Sequence, residues 1–187
     1  MLSGSDHCGV LLHQGIGLEA FNEMPKRKAV HALYECCNSV TMASDLADGR
    51  PYPDRTALFR NADAVLFSLS EDSVDEILQA YPKLGSRPGS TWSHAEQSSV
   101  WDPHTELMAE LDAAARAYAT QFGFDFVMYL GSYEGDCPFS AVIAAIGDRM
   151  HHDVETERKV LRNEIAKLNR SRLERMLGPV GGYDNWA

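Results

Sequence analysis

Arg172 sits where a leucine would be expected. Leu161, Ile165 and Leu168 recur at the three- and four-residue steps that line one face of a helix, and four residues further along the same seam stands Arg172. A guanidinium on an inward seam needs an anion, because burying it unpaired costs several kcal/mol. That anion is either an internal carboxylate such as Glu96 or an anionic ligand. The remaining reading is that the side chain snorkels toward solvent near the helix end. Ser93, Glu96 and Gln97 form a second constellation. At positions i, i+3 and i+4 they share one helical face and can converge on a ligand. Ser followed three residues later by Glu is also the capping-box pattern, which satisfies orphan backbone N–H groups at a helix start. Gln97 is not required by a cap, so both readings stay open.

Other chemistry-bearing residues read more plainly. His151, His152 and Asp153 with Glu155 and Glu157 suggest a metal, but adjacent histidines on a helix point about 100° apart and lack the H-x-x-x-H spacing. The expectation there is a solvated, acidic helix start, with Asp153 as N-cap and Glu155 and Glu157 in the first turn, favoured by the helix dipole. Cys36 and Cys37 lie on an apolar stripe and read as small hydrophobes. A nucleophilic role would need an adjacent base, for which the sequence offers nothing specific. Neither a glycine-rich phosphate loop nor a G-x-S-x-G elbow is present. No metal site is expected.

The elements that carry these residues are helical nearly throughout. Ala29, Val30, Leu33, Cys36 and Cys37 form one stripe after Pro25, and Leu58, Ala62, Val65, Leu66 and Leu69 form another. Val74, Ile77, Leu78 and Tyr81 form a shorter stripe that Pro82 should close, which turns Tyr81 inward at a helix end. Residues 85–102 read as a loop with a short helix from about Ser93. A long helix is expected over residues 104–122, with Leu107, Leu111, Ala114, Ala115, Tyr118 and Phe122 on one face and Gly123 as its stop. Residues 126–130 are a strand or a buried extended segment, and helices follow over 140–150 and 154–177. The expected fold is all-α, a single-domain helical bundle over residues 18–177, with an N-terminal extension over 1–17 and a glycine-rich tail over 178–187.

With 187 residues the chain is one domain's worth of protein, and 17 basic against 27 acidic side chains leave a net charge of −10. That balance argues against nucleic acid or an anionic membrane as partner. Four cysteines without a C-x-x-C pair indicate neither a zinc ribbon nor a disulfide framework. No signal peptide or membrane-length apolar run is evident, so a cytoplasmic setting is expected.

Taken in order, several segments resemble the 2-oxo-4-hydroxy-4-carboxy-5-ureidoimidazoline (OHCU) decarboxylase family, whose enzymes complete the conversion of urate to (S)-allantoin. These are Phe21-Asn22 with Pro25, Cys36-Cys37 with Ser39, residues 81–85, Ser93 with Glu96-Gln97, Tyr118 with Phe122-Gly123-Phe124, Glu155 with Glu157, and Arg172-Leu173. The resemblance implies an all-helical, often dimeric domain that uses no metal or organic cofactor. It implies a cleft in which Tyr81, Glu96 and Arg172 occupy the catalytic positions. Pro82, Ser93, Gln97, Phe124 and Phe126 would bind the substrate. The implied partners are a small anionic substrate and a second copy of the chain.

The same comparison marks departures. Tyr81 stands where the family carries a catalytic histidine, Ala115 where it has an asparagine, Asp125 where it has a proline, Leu130 where a basic residue is common, and Met42 where a Trp is common. Imidazole titrates near neutrality, whereas a phenol with a reference pKa of about 10 is a poor base at pH 7. The expected activity is therefore a decarboxylase-like lyase reaction on a carboxylated or ureido- or amide-bearing heterocycle, diverged from the parent reaction toward decarboxylation, isomerisation or cyclisation with Glu96 and Tyr81. The alternatives are an authentic OHCU decarboxylase and a small-molecule-binding protein without turnover.

Overall fold

Side-chain caps decide where several of the helices begin. The computed structural model describes residues 15–81, 105–131 and 138–180. In it Ser39, Asp54, Ser70 and Asp153 stand in extended backbone. Each accepts the N–H of the residue three further on, at 3.2, 2.7, 3.2 and 2.7 Å respectively. The helices among the described residues are α1 (Leu18–Glu23), α2 (Lys26–Cys37), α3 (Val40–Asp48), α4 (Arg55–Ser68), α5 (Glu71–Gln79), α6 (Thr105–Phe122), α7 (Pro138–Arg149) and α8 (Val154–Leu177). No strand occurs among the described residues, so the fold is all-α as the periodicity predicts. Residues 126–130 are a non-helical segment that buries Phe126, Val127 and Leu130.

α1 and α3 were not separated out by the apolar stripes. α3 follows α2 almost at once, because Asn38 takes the left-handed conformation at φ 53° and ends α2 while Ser39 caps the next helix. Leu107, assigned to the inward stripe of α6, is 39% exposed, whereas Leu111 and Tyr118 are fully buried. Gly123 stops α6 at φ 81°, a conformation that favours glycine.

α8 runs through the interior. Leu161 and Ile165 have no exposure and Leu168 has 6%, and the helix packs against α2 and α4. Arg162, 8% exposed, reaches from α8 to the end of α4, donating to the carbonyls of Leu66 at 2.8 Å and Leu69 at 3.0 Å and pairing with Glu71 at 2.7 Å. It thereby satisfies carbonyls that a helix C-terminus leaves unpaired. α7 packs on α6. Asn22 clips the start of the bundle to the α3–α4 connection: its Oδ1 accepts from the Tyr52 N–H and its Nδ2 donates to the Tyr52 carbonyl, both at 2.9 Å. Gly49 lies so close to the Tyr52 hydroxyl that a Cβ there would meet it at 2.6 Å.

The described chain ends meet. The N–H groups of Gly15, Ile16 and Gly17 donate to the carbonyls of Arg175, Met176 and Leu177 at 3.1, 2.8 and 3.0 Å. Arg55 donates to the carbonyls of Gly178 at 2.6 Å and Pro179 at 3.0 Å. Residues 15–17 of the expected extension are thus fastened to the terminus of α8.

Candidate active site

The inward seam of α8 carries polar groups toward each end. At the C-terminal end Arg172 is 6% exposed, as the seam predicts, and donates through Nη1 to the Cys36 carbonyl at 3.1 Å. Its guanidinium carbon lies 4.7 Å from the centre of the Tyr81 ring, within cation–π range. Tyr81 follows the last turn of α5, where its N–H donates to the Leu78 carbonyl at 3.0 Å, and it is half-buried against the core. Its hydroxyl donates to Asn169 Oδ1 at 3.4 Å. Asn169 is 2% exposed, one turn before Arg172 on the same face. The sequence reading passed over it, although its spacing from Ile165 and Arg172 carried the signal.

The structure therefore brings Tyr81 and Arg172 together. Pro82, Ser93, Glu96 and Gln97 lie outside the described residues. The neighbouring cysteines are not poised as nucleophiles. Burial, then the adjacent Cys37, holds the Cys36 thiol well above its ordinary value, and burial pushes Cys37 up to about 11. Both stay protonated at neutral pH, and a thiol is a poor nucleophile.

At the other end of the seam the acidic helix start is not uniformly solvated. Glu155 is exposed and pairs with Lys159 at 2.8 Å, but Glu157 has no exposure. This corrects the expectation of a solvated first turn at Glu157. Its Oε1 accepts from Arg149 Nε at 2.6 Å and from the Tyr118 hydroxyl. Its Oε2 lies 2.8 Å from His152 Nδ1. Arg149 also donates to the Val127 carbonyl at 2.7 Å and stacks on Phe126 at 4.3 Å. Burial, then the hydrogen bond to Glu157, raises the Tyr118 phenol above its ordinary range. The seam extended backward four residues from Leu161 reaches Glu157, which was the available signal for its burial.

Phe124 and Phe126 belong to this second cluster. They are 6% and 5% exposed, with ring centres 5.9 and 5.1 Å from that of Tyr118. Each also edges a surface hollow. One, of about 340 Å³, is lined by Phe126 with Ala115 and Asp125 among others. The other, of about 310 Å³, is lined by Phe124 with Leu78 and Asp125 among others. Neither lining includes Tyr81 or Arg172. Glu157 and Arg172 are fifteen residues apart on α8, or about 22 Å along the axis. The two phenylalanines and the Tyr81–Arg172 pair thus belong to separate polar clusters.

The family model for OHCU decarboxylase matches residues 22–174, a stretch that holds Tyr81, Asn169 and Arg172 together with α2 to α7 and α8 as far as Glu174. The chain belongs to the OHCU decarboxylase family. It is 26% identical over 164 residues to a uric acid degradation bifunctional protein of Bacillus sp. (strain TB-90), an alignment that covers 84% of this chain and 31% of that protein. The chain thus spans about a third of the curated relative it matches. Among solved structures it resembles (S)-allantoin synthase with a TM-score of 0.67 at 19% identity, covering 87% of this chain and 54% of that one. It also resembles OHCU decarboxylase crystallised in the presence of (S)-allantoin, with a TM-score of 0.62 at 18% identity, covering 77% of this chain and 95% of that one. These likenesses support the OHCU decarboxylase fold. No helix among the described residues is long and apolar enough to cross a membrane.

Proposed function

We propose that this member of the OHCU decarboxylase family is a carbon–carbon lyase acting on a compact heterocycle that carries a carboxylate and a ureido or amide group. The observation that carries the reading is the buried guanidinium of Arg172 stacked on the Tyr81 ring. A guanidinium has five N–H donors in a planar fork, so its bond to the Cys36 carbonyl is compatible with a grip on an anionic ligand. As the carbon–carbon bond to the carboxylate breaks and CO2 leaves, its electron pair passes into the conjugated ring. Arg172 stabilises the charge that develops there. The Glu96 carboxyl then supplies the proton that replaces CO2 on carbon, and Ser93 and Gln97 orient the ring with Pro82 beside it. Tyr81 contributes hydrogen bonding in place of an imidazole, and this exchange is why the reaction is read as diverged from the parent.

The second reading is the parental reaction itself, decarboxylation to (S)-allantoin in urate degradation. It is favoured by the continuous family match over residues 22–174 and by the named activity of the Bacillus relative. The test is to add the purified protein to freshly generated ureidoimidazoline and follow chirality by circular dichroism. The divergent reading expects little acceleration over spontaneous decay, and rapid appearance of (S)-allantoin would establish the parental reaction instead. In either case Glu96→Ala and Arg172→Ala should abolish turnover or ligand binding while the protein still melts cooperatively. Parental behaviour from both variants would remove the proposed site.

A further inference from the structure

The buried Glu157 carboxylate fixes which nitrogen of His152 carries the proton. Its Oε1 accepts from Arg149 Nε at 2.6 Å and from the Tyr118 hydroxyl, whose own oxygen accepts from Arg149 Nη2 at 3.2 Å. Its Oε2 is left to His152 Nδ1 at 2.8 Å. A carboxylate paired with a guanidinium offers only acceptors, so the imidazole meets it with an Nδ1–H. The neutral ring then carries its lone pair on Nε2, which has no hydrogen-bond partner among the described residues. The His152 side chain is 35% exposed and the Glu157 side chain not at all, so the ring opens to solvent on the edge turned away from the carboxylate. A carboxylate behind an imidazole fixes its tautomer and stabilises the cation that forms when Nε2 takes on a further group. The proposed lyase reaction makes no use of this pair, which lies at the opposite end of α8 from Arg172.

We propose that His152 is an acyl-accepting nucleophile, with Glu157 as its positioning residue and activated acyl compounds such as thioesters, acyl phosphates and anhydrides as its reactants. The Nε2 lone pair forms a bond to the acyl carbon, the bond from that carbon to the sulfur or oxygen of the leaving group breaks, and the electron pair departs with the leaving group. The product is an acylimidazolium whose Nδ1–H remains hydrogen-bonded to Glu157. Water then adds to the acyl carbon, which releases the carboxylic acid and a proton and restores the ring. His151, the exposed neighbour, has no carboxylate bonded to it among the described residues and serves as the internal reference.

The probe is diethyl pyrocarbonate in mildly alkaline buffer, where imidazole is neutral. It transfers an ethoxycarbonyl group and releases monoethyl carbonate, and peptide mass spectrometry locates the adduct. His152 should react about tenfold faster than His151, the scale of one hydrogen bond to a charged group. Heteronuclear NMR of the ring should show the proton on Nδ1 and none on Nε2. Glu157→Gln is the sharper test, because Arg149 and Tyr118 hold the amide oxygen at the Oε1 position and so turn the amide N–H toward His152. Nδ1 then becomes the acceptor and the ring proton moves to Nε2. Acylation of His152 should fall to the rate of His151 or below, with the tautomer reversed by NMR. Loosened packing alone would expose the ring and speed the reaction instead. Should Glu157→Gln fail to fold, the tautomer and the ratio of the two rates in the unsubstituted protein decide the matter. A proton on Nε2 in that protein, equal rates at the two histidines, or an undiminished rate in folded Glu157→Gln overturns the proposal.

Discussion

The Nε of Arg149 lies 2.6 Å from Oε1 of Glu157, a residue without solvent exposure, and Arg149 itself is 7% exposed. Both Glu157 oxygens are engaged, one by Arg149 and Tyr118 and the other by His152. Such a pair contributes little over a well-packed apolar core, but breaking it leaves an uncompensated buried charge. Glu157→Ala should therefore lower stability by about 3–5 kcal/mol in urea denaturation. Glu155→Ala, whose side chain is 83% exposed, should leave the midpoint where it is. Equal effects from the two substitutions would contradict the buried network.

Alkaline pH should unfold the protein through its thiols and Tyr118. Burial raises Cys37 from 9.0 to about 11 and raises Cys36 and Tyr118 for the same leading reason. The native state therefore keeps protons that the unfolded chain releases. Stability is complete below the unfolded values and falls as pH climbs through them toward the native ones. Each retained proton costs about 1.4 kcal/mol per pH unit in that window. Urea midpoints measured from pH 8 to 11 should decline from near pH 9, and Cys37→Ala should flatten the decline between pH 9 and about 11. A variant slope equal to the parental one would rule out this assignment.

The fold was legible where one helix alone determined which way its residues face. The seam of α8 gave Leu161, Ile165, Leu168 and Arg172 as inward residues, and all four are buried. Glu157 was misread because a carboxylate in the first turn of a helix has the same local signature whether water or a guanidinium receives it. Its partners come from Arg149 on α7 and Tyr118 on α6, and that pairing is tertiary information. α3 was passed over because Val40 is 65% exposed and only Asn38 and Ser39 separate the helix from α2, so the stripe showed no distinct interruption. Tyr81 and Arg172 are legible in the sequence, whereas Asn169, although its spacing puts it on the same seam, has the residue type of an ordinary helix surface.

Removal of residues 15–17 should loosen the end of α8. Their N–H groups are donors to the carbonyls of Arg175, Met176 and Leu177, of which the first also accepts from the Gly178 N–H at 3.2 Å and the other two are ones a helix terminus ordinarily leaves to solvent. At about 1 kcal/mol for each bond, a chain beginning at Leu18 should lose roughly 3 kcal/mol relative to one beginning at Gly15. Ile16→Pro, which deletes the 2.8 Å bond to Met176 and replaces a side chain packed on the core, should lose a comparable part of that. Hydrogen exchange at residues 173–178 should accelerate in step with the loss. Unchanged exchange there would mean that the strap follows the helix end without holding it.

Tyr81→His should convert the site toward the parental reaction. The Asn169 oxygen that accepts the Tyr81 hydroxyl can equally accept an imidazole N–H, which fixes the tautomer and leaves the other ring nitrogen as a base. Arg172, already packed against the residue at this position, remains to hold the anion. General-base catalysis contributes about 100-fold or more. Decarboxylation of the ureidoimidazoline, followed by circular dichroism, should therefore rise by at least that factor, and its pH profile should gain an inflection near an imidazole pKa of about 6.5. Arg172→Ala in the same background should return the rate to the spontaneous level. A Tyr81→His protein that folds and still shows a flat, unaccelerated profile would mean that the difference from the parental chemistry lies elsewhere in the cleft.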